Sequence, residues 1–200
     1  MSRDNFAHKS KSWDMNSKRV QNAKSIAELI VTKSNLHHNM KLMDFGAGTG
    51  LLSYFVSPFV DTIVAVDNSP SMLEVLREKA SIFSCYIEIK ELDLSQESID
   101  EKFDGIISSM TIQHLEDTKA LFQKFYELLN DGGFIAIADL ESEDGTFHSD
   151  NEGVFHFGFE RKELSTIAKE VGFKNIEFDL ASSIKKPHNE FRVFLMRATK

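Results

Sequence analysis

The chain has 200 residues, and its 23 basic and 31 acidic side chains leave a net charge of −8 with His neutral. That length suits one domain with its own core, and the acidic balance argues against bulk nucleic acid, whose binding needs excess Lys and Arg. The single cysteine, Cys85, rules out an internal disulfide or a multi-cysteine metal site.

In chain order, residues 1–17 are polar, with Phe6 and Trp13 standing out as bulky apolar groups. They read either as a frayed arm or as a segment that folds over a ligand. Val20, Ala23, Ile26, Ala27, Ile30 and Val31 recur at helical spacing, which predicts a helix over 18–33. A loop with His37 and His38 follows.

Residues 41–45 form a short apolar run with Asp44 and a glycine cluster at its end, and 49–56 suggest a short helix. Residues 61–66 are β-branched and apolar, as in a strand buried on both faces. Ser69 and Pro70 open a helix running to Ala80, with Met72, Leu73, Val75 and Leu76 inward.

Strands are expected over 86–92, ending at Asp93, and over 103–108, then a helix over 118–129. Residues 130–133 read as a turn into a strand over 134–138. The stretch 140–159 has no periodicity. A helix over 161–171 stops at Gly172, and strands at 175–180 and 190–197 flank a Lys-Lys-Pro turn.

Alternating strands and helices predict an α/β, doubly wound, Rossmann-like single domain. Its seven-stranded sheet is mostly parallel with one antiparallel strand, because the last two strands have no crossover between them. No run reaches the ~20 apolar residues of a spanning helix, and the N-terminus has no apolar signal region. A cytoplasmic chain with no membrane partner is expected.

Ligands of such sheets bind beyond the carboxyl ends of the strands. There the sequence places Asp44-Phe45-Gly46-Ala47-Gly48-Thr49-Gly50, then Asp67 19 residues after Gly48, then Asp93. Glycines let a ligand approach the main chain, and an acid at Asp67 can accept both hydroxyls of a ribose. A nicotinamide fingerprint would need glycine where Leu51 stands, and no Gly-Lys-Ser/Thr follows to make a P-loop.

These residues, with Ser109-Met110-Thr111-Ile112-Gln113-His114 and Asn130-Asp131-Gly132-Gly133, resemble the class I S-adenosylmethionine-dependent methyltransferases over nearly the whole chain. The resemblance implies S-adenosyl-L-methionine as cofactor and a sheet order of 3-2-1-4-5-7-6. It implies that Asp44, Gly46, Ala47 and Gly48 hold the methionine end, and that Asp67 and Asn68 lie at the ribose. Met72, Asp93 and Leu94 would meet the adenine, Ser109 would lie beside the methionine moiety, and Trp13 would close over it. A single methyltransferase domain over 1–200 is implied, with an arm and helix (1–33), a cofactor core (41–139), a substrate lid (140–159) and a C-terminal helix and strand pair (160–200).

His114 and Asp139, at the ends of strands 4 and 5, are the candidate catalytic acid–base residues. For His114 the alternative is a hydrogen-bonded or capping histidine. Phe147, His148, Phe155 and His156 would shape the acceptor pocket if 140–159 is a lid; otherwise the stretch is an excursion anchored by its phenylalanines. His148, Asp150, Glu152 and His156 could be weighed as metal ligands, but no metal is expected. The sequence lacks the Asn/Asp-Pro-Pro-Tyr/Phe segment of adenine- or glutamine-methylating relatives and has no Pro-Cys pair. A small organic acceptor is expected, with a protein side chain as the alternative acceptor and a non-catalytic cofactor sensor or partner subunit as the alternative role.

Overall fold

The computed structural model describes residues 4, 6–187 and 189–200. Residues 1–3 and 5 of the arm lie outside the described residues. The sheet is built from β1 Lys41–Phe45, β2 Thr62–Asp67, β3 Tyr86–Glu91, β4 Phe103–Ser109, β5 Leu129–Leu140, β6 Lys174–Lys186 and β7 Asn189–Thr199. The helices are α1 Ser17–Lys33, α2 Leu51–Val56, α3 Pro70–Glu78, α4 Thr118–Leu128 and α5 Arg161–Val171.

The sheet order is β3-β2-β1-β4-β5-β7-β6. β1 to β5 pair in parallel, and β7 runs antiparallel to both β5 and β6. This is the α/β doubly wound, seven-stranded architecture that the alternation of elements predicts.

Strand alternation sends successive side chains to opposite faces. Met43, Val64 and Ile106 therefore pack with Phe122 and Phe125 of α4 and Leu164 of α5. Leu42, Ile63 and Ile107 pack on the other side with Ile26 and Ile30 of α1 and Leu52 of α2. Both layers are closed to water, so the interior strands carry little polar signal except at their ends.

Several boundaries differ from the sequence expectation. Residues 10–15, in the stretch without periodicity, form a 3-10 helix (Ser10–Met15). α2 starts at Leu51 because Gly50, at φ +80°, still belongs to the loop. α4 ends at Leu128 because Leu129 is extended and pairs with Phe103, so β5 includes the expected turn 130–133. β6 and β7 are longer than expected: half-exposed β6 mixes polar and apolar residues, which hides its extent. No helix among the described residues is long and apolar enough to cross a membrane.

β1 lies between β2 and β4, so the chain reverses its winding there. In register, Phe45 pairs with Val66 on one side and Ser108 on the other. The ends of three strands thus open together on one edge, the crevice where such sheets bind ligands.

Candidate functional site

The loop after β1 is stitched to the end of β2. Gly46 N–H and Ala47 N–H both donate to Val66 O, at 2.8 and 3.1 Å. Gly48 N–H donates to Asp67 Oδ2 at 2.8 Å, and Ser69 N–H donates to Asp67 Oδ1 at 2.8 Å. Gly46 and Gly48 have φ of +69° and +55°, a region in which only glycine sits freely. A Cβ at Gly46 would lie 2.1 Å from Thr111 Cγ2, whereas a Cβ at Gly48 would meet nothing within 4 Å. Thus Gly46 answers a packing constraint, while Gly48 faces open space with its N–H fixed on Asp67.

Each Asp67 oxygen keeps a further lone pair after these backbone bonds. Burial raises the carboxyl's proton affinity, against which the Ser69 and Gly48 N–H groups hold the charge. Asp44, in the interior of β1, is buried and accepts from Ser53 Oγ of α2 at 2.6 Å. Burial first, then the nearby Asp67 charge, push its pKa up to about 7 despite the Ser53 bond. Ala47 is buried, and Met72 is buried on α3, one turn past Ser69. Asn68 follows Asp67 and is exposed.

At the third strand end, Asp93 Oδ1 accepts both the N–H (2.9 Å) and the Oγ–H (2.6 Å) of Ser95. Leu94 is buried, and its carbonyl accepts from Lys124 Nζ. Ser109 ends β4, and its carbonyl accepts from Thr111 Oγ1 at 3.1 Å. The next residue, Met110, sits at φ +59°, an uncommon conformation for a non-glycine residue that clusters at functional sites. Sequence reasoning missed it, since nothing marks a left-handed methionine in advance.

The N-terminal arm crosses this edge. Thr49 Oγ1 donates to Asp14 Oδ1 at 2.5 Å, and Lys79 bonds the other Asp14 oxygen. Asp4 accepts from Ser69 Oγ at 2.8 Å and from Ser71 N–H at 3.1 Å, capping α3 beside Asp67. Trp13 is half-buried, with Phe6 edge-on at 6.0 Å and the Arg19 guanidinium 3.8 Å above its ring. Asp4 and Asp14 were not among the expected site residues, because their partners lie more than 30 residues away.

The two catalytic candidates occupy different environments. His114 ends the 3-10 helix Ile112–His114. Its Nδ1 lies 2.8 Å from Gly153 O, an acceptor, so Nδ1 carries the proton and Nε2 the lone pair. Burial and the Lys9 charge lower its proton affinity. Asp139 is fully buried, with Oδ1 on Leu140 N–H at 2.8 Å and Oδ2 on Gln113 N–H at 3.3 Å. Desolvation raises its pKa to about 7 against these bonds. Its oxygens thus hold the backbone of Leu140 and of the segment that carries His114.

The stretch 140–159 is an excursion with paired ends. Phe159 N–H donates to Leu140 O, and Ser142 N–H donates back to Phe159 O. Phe147 packs edge-on to Phe191 of β7 at 5.2 Å, and His148 Nε2 donates to Gln113 Oε1 at 3.0 Å. His156 Nε2 donates to Leu115 O at 2.9 Å. Burial is the main cause, with the His114, Lys186 and Lys9 charges, that takes the His148 pKa down to about 4. Phe155 is 56% exposed and Phe157 45%. Three of the four expected lid residues thus clamp the excursion onto β7 and the segment after β4, and Phe155 stays at the surface. Among the described residues no three His, Cys, Asp or Glu side chains converge as a metal site.

A family model described as a methyltransferase domain matches residues 18–178. An uncharacterized methyltransferase of Schizosaccharomyces pombe is 28% identical over 155 residues, covering 69% of this chain and 55% of that protein. Phosphoethanolamine N-methyltransferase 1 of Arabidopsis thaliana is 34% identical over 111 residues, covering 54% of this chain and 23% of that protein. The chain thus spans about half the length of the first relative and less than a quarter of the second. Among solved structures, the N-methyltransferase NodS from Bradyrhizobium japonicum in complex with S-adenosyl-L-homocysteine superposes with a TM-score of 0.74. That match is 16% identical and covers 97% of this chain and 94% of that one. At that identity the likeness is one of fold.

Proposed function

The chain belongs to the methyltransferase-domain family, the S-adenosylmethionine-dependent class I methyltransferases, and on that premise we propose that it moves the sulfonium methyl group to a small organic acceptor. The observation that carries the cofactor assignment is Gly48, where open space adjoins an N–H held on Asp67. A Cβ there would enter the space a ligand needs.

S-adenosylmethionine supplies a methyl group on a positively charged sulfur that leaves as a neutral thioether. Asp67 accepts the ribose hydroxyls through its spare lone pairs, while Asp44 and the backbone of Gly46 and Gly48 orient the methionine end. Met72, Asp93 and Leu94 take the adenine. The arm, pinned by Asp4 and Asp14, excludes water from that crevice, and Trp13 lies within the same arm. Transfer of this kind depends chiefly on positioning and desolvation.

His114 is the candidate base where the acceptor atom must lose a proton. Its Nδ1 is fixed by Gly153 O, and its lowered proton affinity keeps Nε2 unprotonated near neutral pH. Asp139 and Gln113 position that imidazole through the backbone. The small-acceptor assignment is supported by the Arabidopsis relative, which is named for phosphoethanolamine. A cytoplasmic setting suits the free Cys85, whose thiol burial pushes up to about 11 and so leaves unreactive.

The test is thermal unfolding with S-adenosylmethionine, S-adenosylhomocysteine, NAD or no ligand. A ligand at about 100 times its Kd adds ~2.7 kcal/mol, a rise of roughly 5–10 °C for this size. A rise with both sulfur compounds and none with NAD is expected. No rise with either, or a rise with NAD alone, overturns the assignment.

A further inference from the structure

We propose that Lys124 is a positioning residue for the cofactor: it holds the loop after β3 so that Asp93 and the Leu94 N–H select a 6-amino purine. The proposal rests on the methyltransferase reading for its ligand, the adenine of S-adenosylmethionine.

Parallel strands are joined by a crossover of a dozen or more residues, usually a helix. Between β3 and β4 the chain crosses in residues 92–102 with no helix. Such a loop must find partners for its backbone elsewhere. At its far end Glu101 bonds Lys41 of β1 and Lys90 of β3. At its near end the chain folds into a turn about Asp93. Asp93 O accepts from Gln96 N–H at 3.0 Å and from Glu97 N–H at 2.9 Å. Asp93 N–H donates to Glu97 Oε2 at 3.0 Å, and Asp93 Oδ1 holds Ser95.

That turn closes on itself, and Lys124 of α4 fastens it to the domain. Its Nζ donates to Leu94 O, to Ser95 O at 3.2 Å and to Glu97 O at 3.5 Å. An ammonium carries three rotatable N–H donors, so it suits three converging carbonyls. Among the described residues no other group outside the loop bonds residues 94–97. The lysine has a firm base, since its α4 neighbours Phe122 and Phe125 are fully buried. Packing leaves this side of the loop open. A cavity of about 470 Å³ is bounded by Leu94 and Ile99 of the loop and by Lys124 and Leu128 of α4.

These bonds set where the loop's free groups point. In a trans peptide the N–H lies opposite the preceding carbonyl. Asp93 O faces into the turn, so the Leu94 N–H faces out of it, and it has no acceptor among the described residues. Leu94 O is drawn to α4 by Lys124, which orients the next peptide as well. Adenine offers a donor at its 6-amino group and an acceptor at the adjacent ring nitrogen. That pair fits a carboxylate next to an N–H. A 6-oxo purine reverses both groups and leaves the site's polar atoms unpaired. Selection therefore depends on how Asp93 and Leu94 are set against each other, and Lys124 sets them.

The experiment is calorimetry of the full chain with S-adenosylhomocysteine and with S-inosylhomocysteine, its 6-oxo counterpart. The parent should bind S-adenosylhomocysteine at least about tenfold more tightly. Lys124→Met keeps the stem and removes all three donors. Its S-adenosylhomocysteine affinity should fall about tenfold while its S-inosylhomocysteine affinity holds within about twofold, so the preference for adenine largely goes. A merely structural lysine would lower the unfolding temperature, or both affinities together, and leave the ratio at the parent value. That result overturns the proposal, as does a parent with no preference. Should Lys124→Met not fold, Lys124→Gln, which is too short to reach all three carbonyls, decides by the same ratio. A parent chain that binds neither compound would strike the proposed function itself, and this proposal with it.

Discussion

His148 donates its Nε2–H to the Gln113 side-chain oxygen at 3.0 Å, tying the excursion 140–159 to the segment after β4. Gln113 is buried, and its carbonyl also receives Phe155 N–H at 3.0 Å and His156 N–H at 3.1 Å. With its own N–H on Asp139, it joins β5, the His114 segment and the excursion at one residue. Gln113→Ala removes the side-chain acceptor and strands the half-buried His148 donor, a loss of about 1–3 kcal/mol. We expect a lower urea midpoint together with faster protease cleavage within 140–159. Cleavage at the parent rate would show that the clamp does not hold the excursion.

The two glycines of the loop after β1 should respond differently to alanine. Gly46→Ala drives a Cβ into Thr111, whose side chain is itself bonded to Gly46 O at 3.3 Å, so overpacking adds to the left-handed strain. Gly48→Ala has room and meets only the cost of its positive φ, about 1 kcal/mol. Gly48→Ala should therefore fold with a small drop in stability yet lose S-adenosylhomocysteine binding, whereas Gly46→Ala should lose several times more stability. Denaturation curves paired with calorimetry read both quantities. Full affinity in Gly48→Ala would mean that the ligand does not enter the space beside it.

Asp67→Ala should weaken S-adenosylhomocysteine binding at least tenfold, since two hydrogen bonds to a charged acceptor go, each worth ~1.5–3 kcal/mol. The substitution also frees the N–H groups of Gly48 and Ser69. Asp67→Asn separates the two effects: it keeps the shape and one acceptor, so its stability should recover more than its affinity. Calorimetry showing parent affinity in Asp67→Ala would remove Asp67 from the ribose.

Where local pattern and tertiary role coincide, the sequence was readable. Asp44, Gly48, Asp67 and Ser69 sit within short runs whose apolar periodicity places them at strand ends, and the structure gathers them along one edge. The arm was not readable in this way. Asp4 and Asp14 act on Ser69, Ser71, Thr49 and Lys79, and no local spacing encodes a partner that distant. Gln113 escaped notice for a different reason. A buried glutamine flanked by Ile112 and His114 looks like an ordinary polar residue until the excursion folds back on it. Asp139 was noticed as a strand-end acid, but its four backbone donors come into view only once the segment after β4 folds against it.

The buried carboxyls give the chain a pH dependence with a definite sign. Asp44 and Asp139 have folded pKa values raised from 3.8 to about 7, so between roughly pH 4 and pH 7 the folded chain holds protons that the unfolded chain has released. Their stabilising contribution is complete below the unfolded value and is lost as pH rises through the folded one, on the order of a few kcal/mol per group. His114 and His148, with lowered values, act oppositely: their contribution is present above pH 6.5 and fades as pH falls. Comparing a variant with its parent cancels the histidines. Asp139→Asn cannot ionise, so its unfolding free energy should fall less between pH 5 and pH 8 than the parent's, even if it starts lower through an imperfect fit to the donors of Thr111, Ile112 and Leu140. Urea titrations at both pH values measure that difference, and an identical slope in the two proteins would show that Asp139 is ionised throughout.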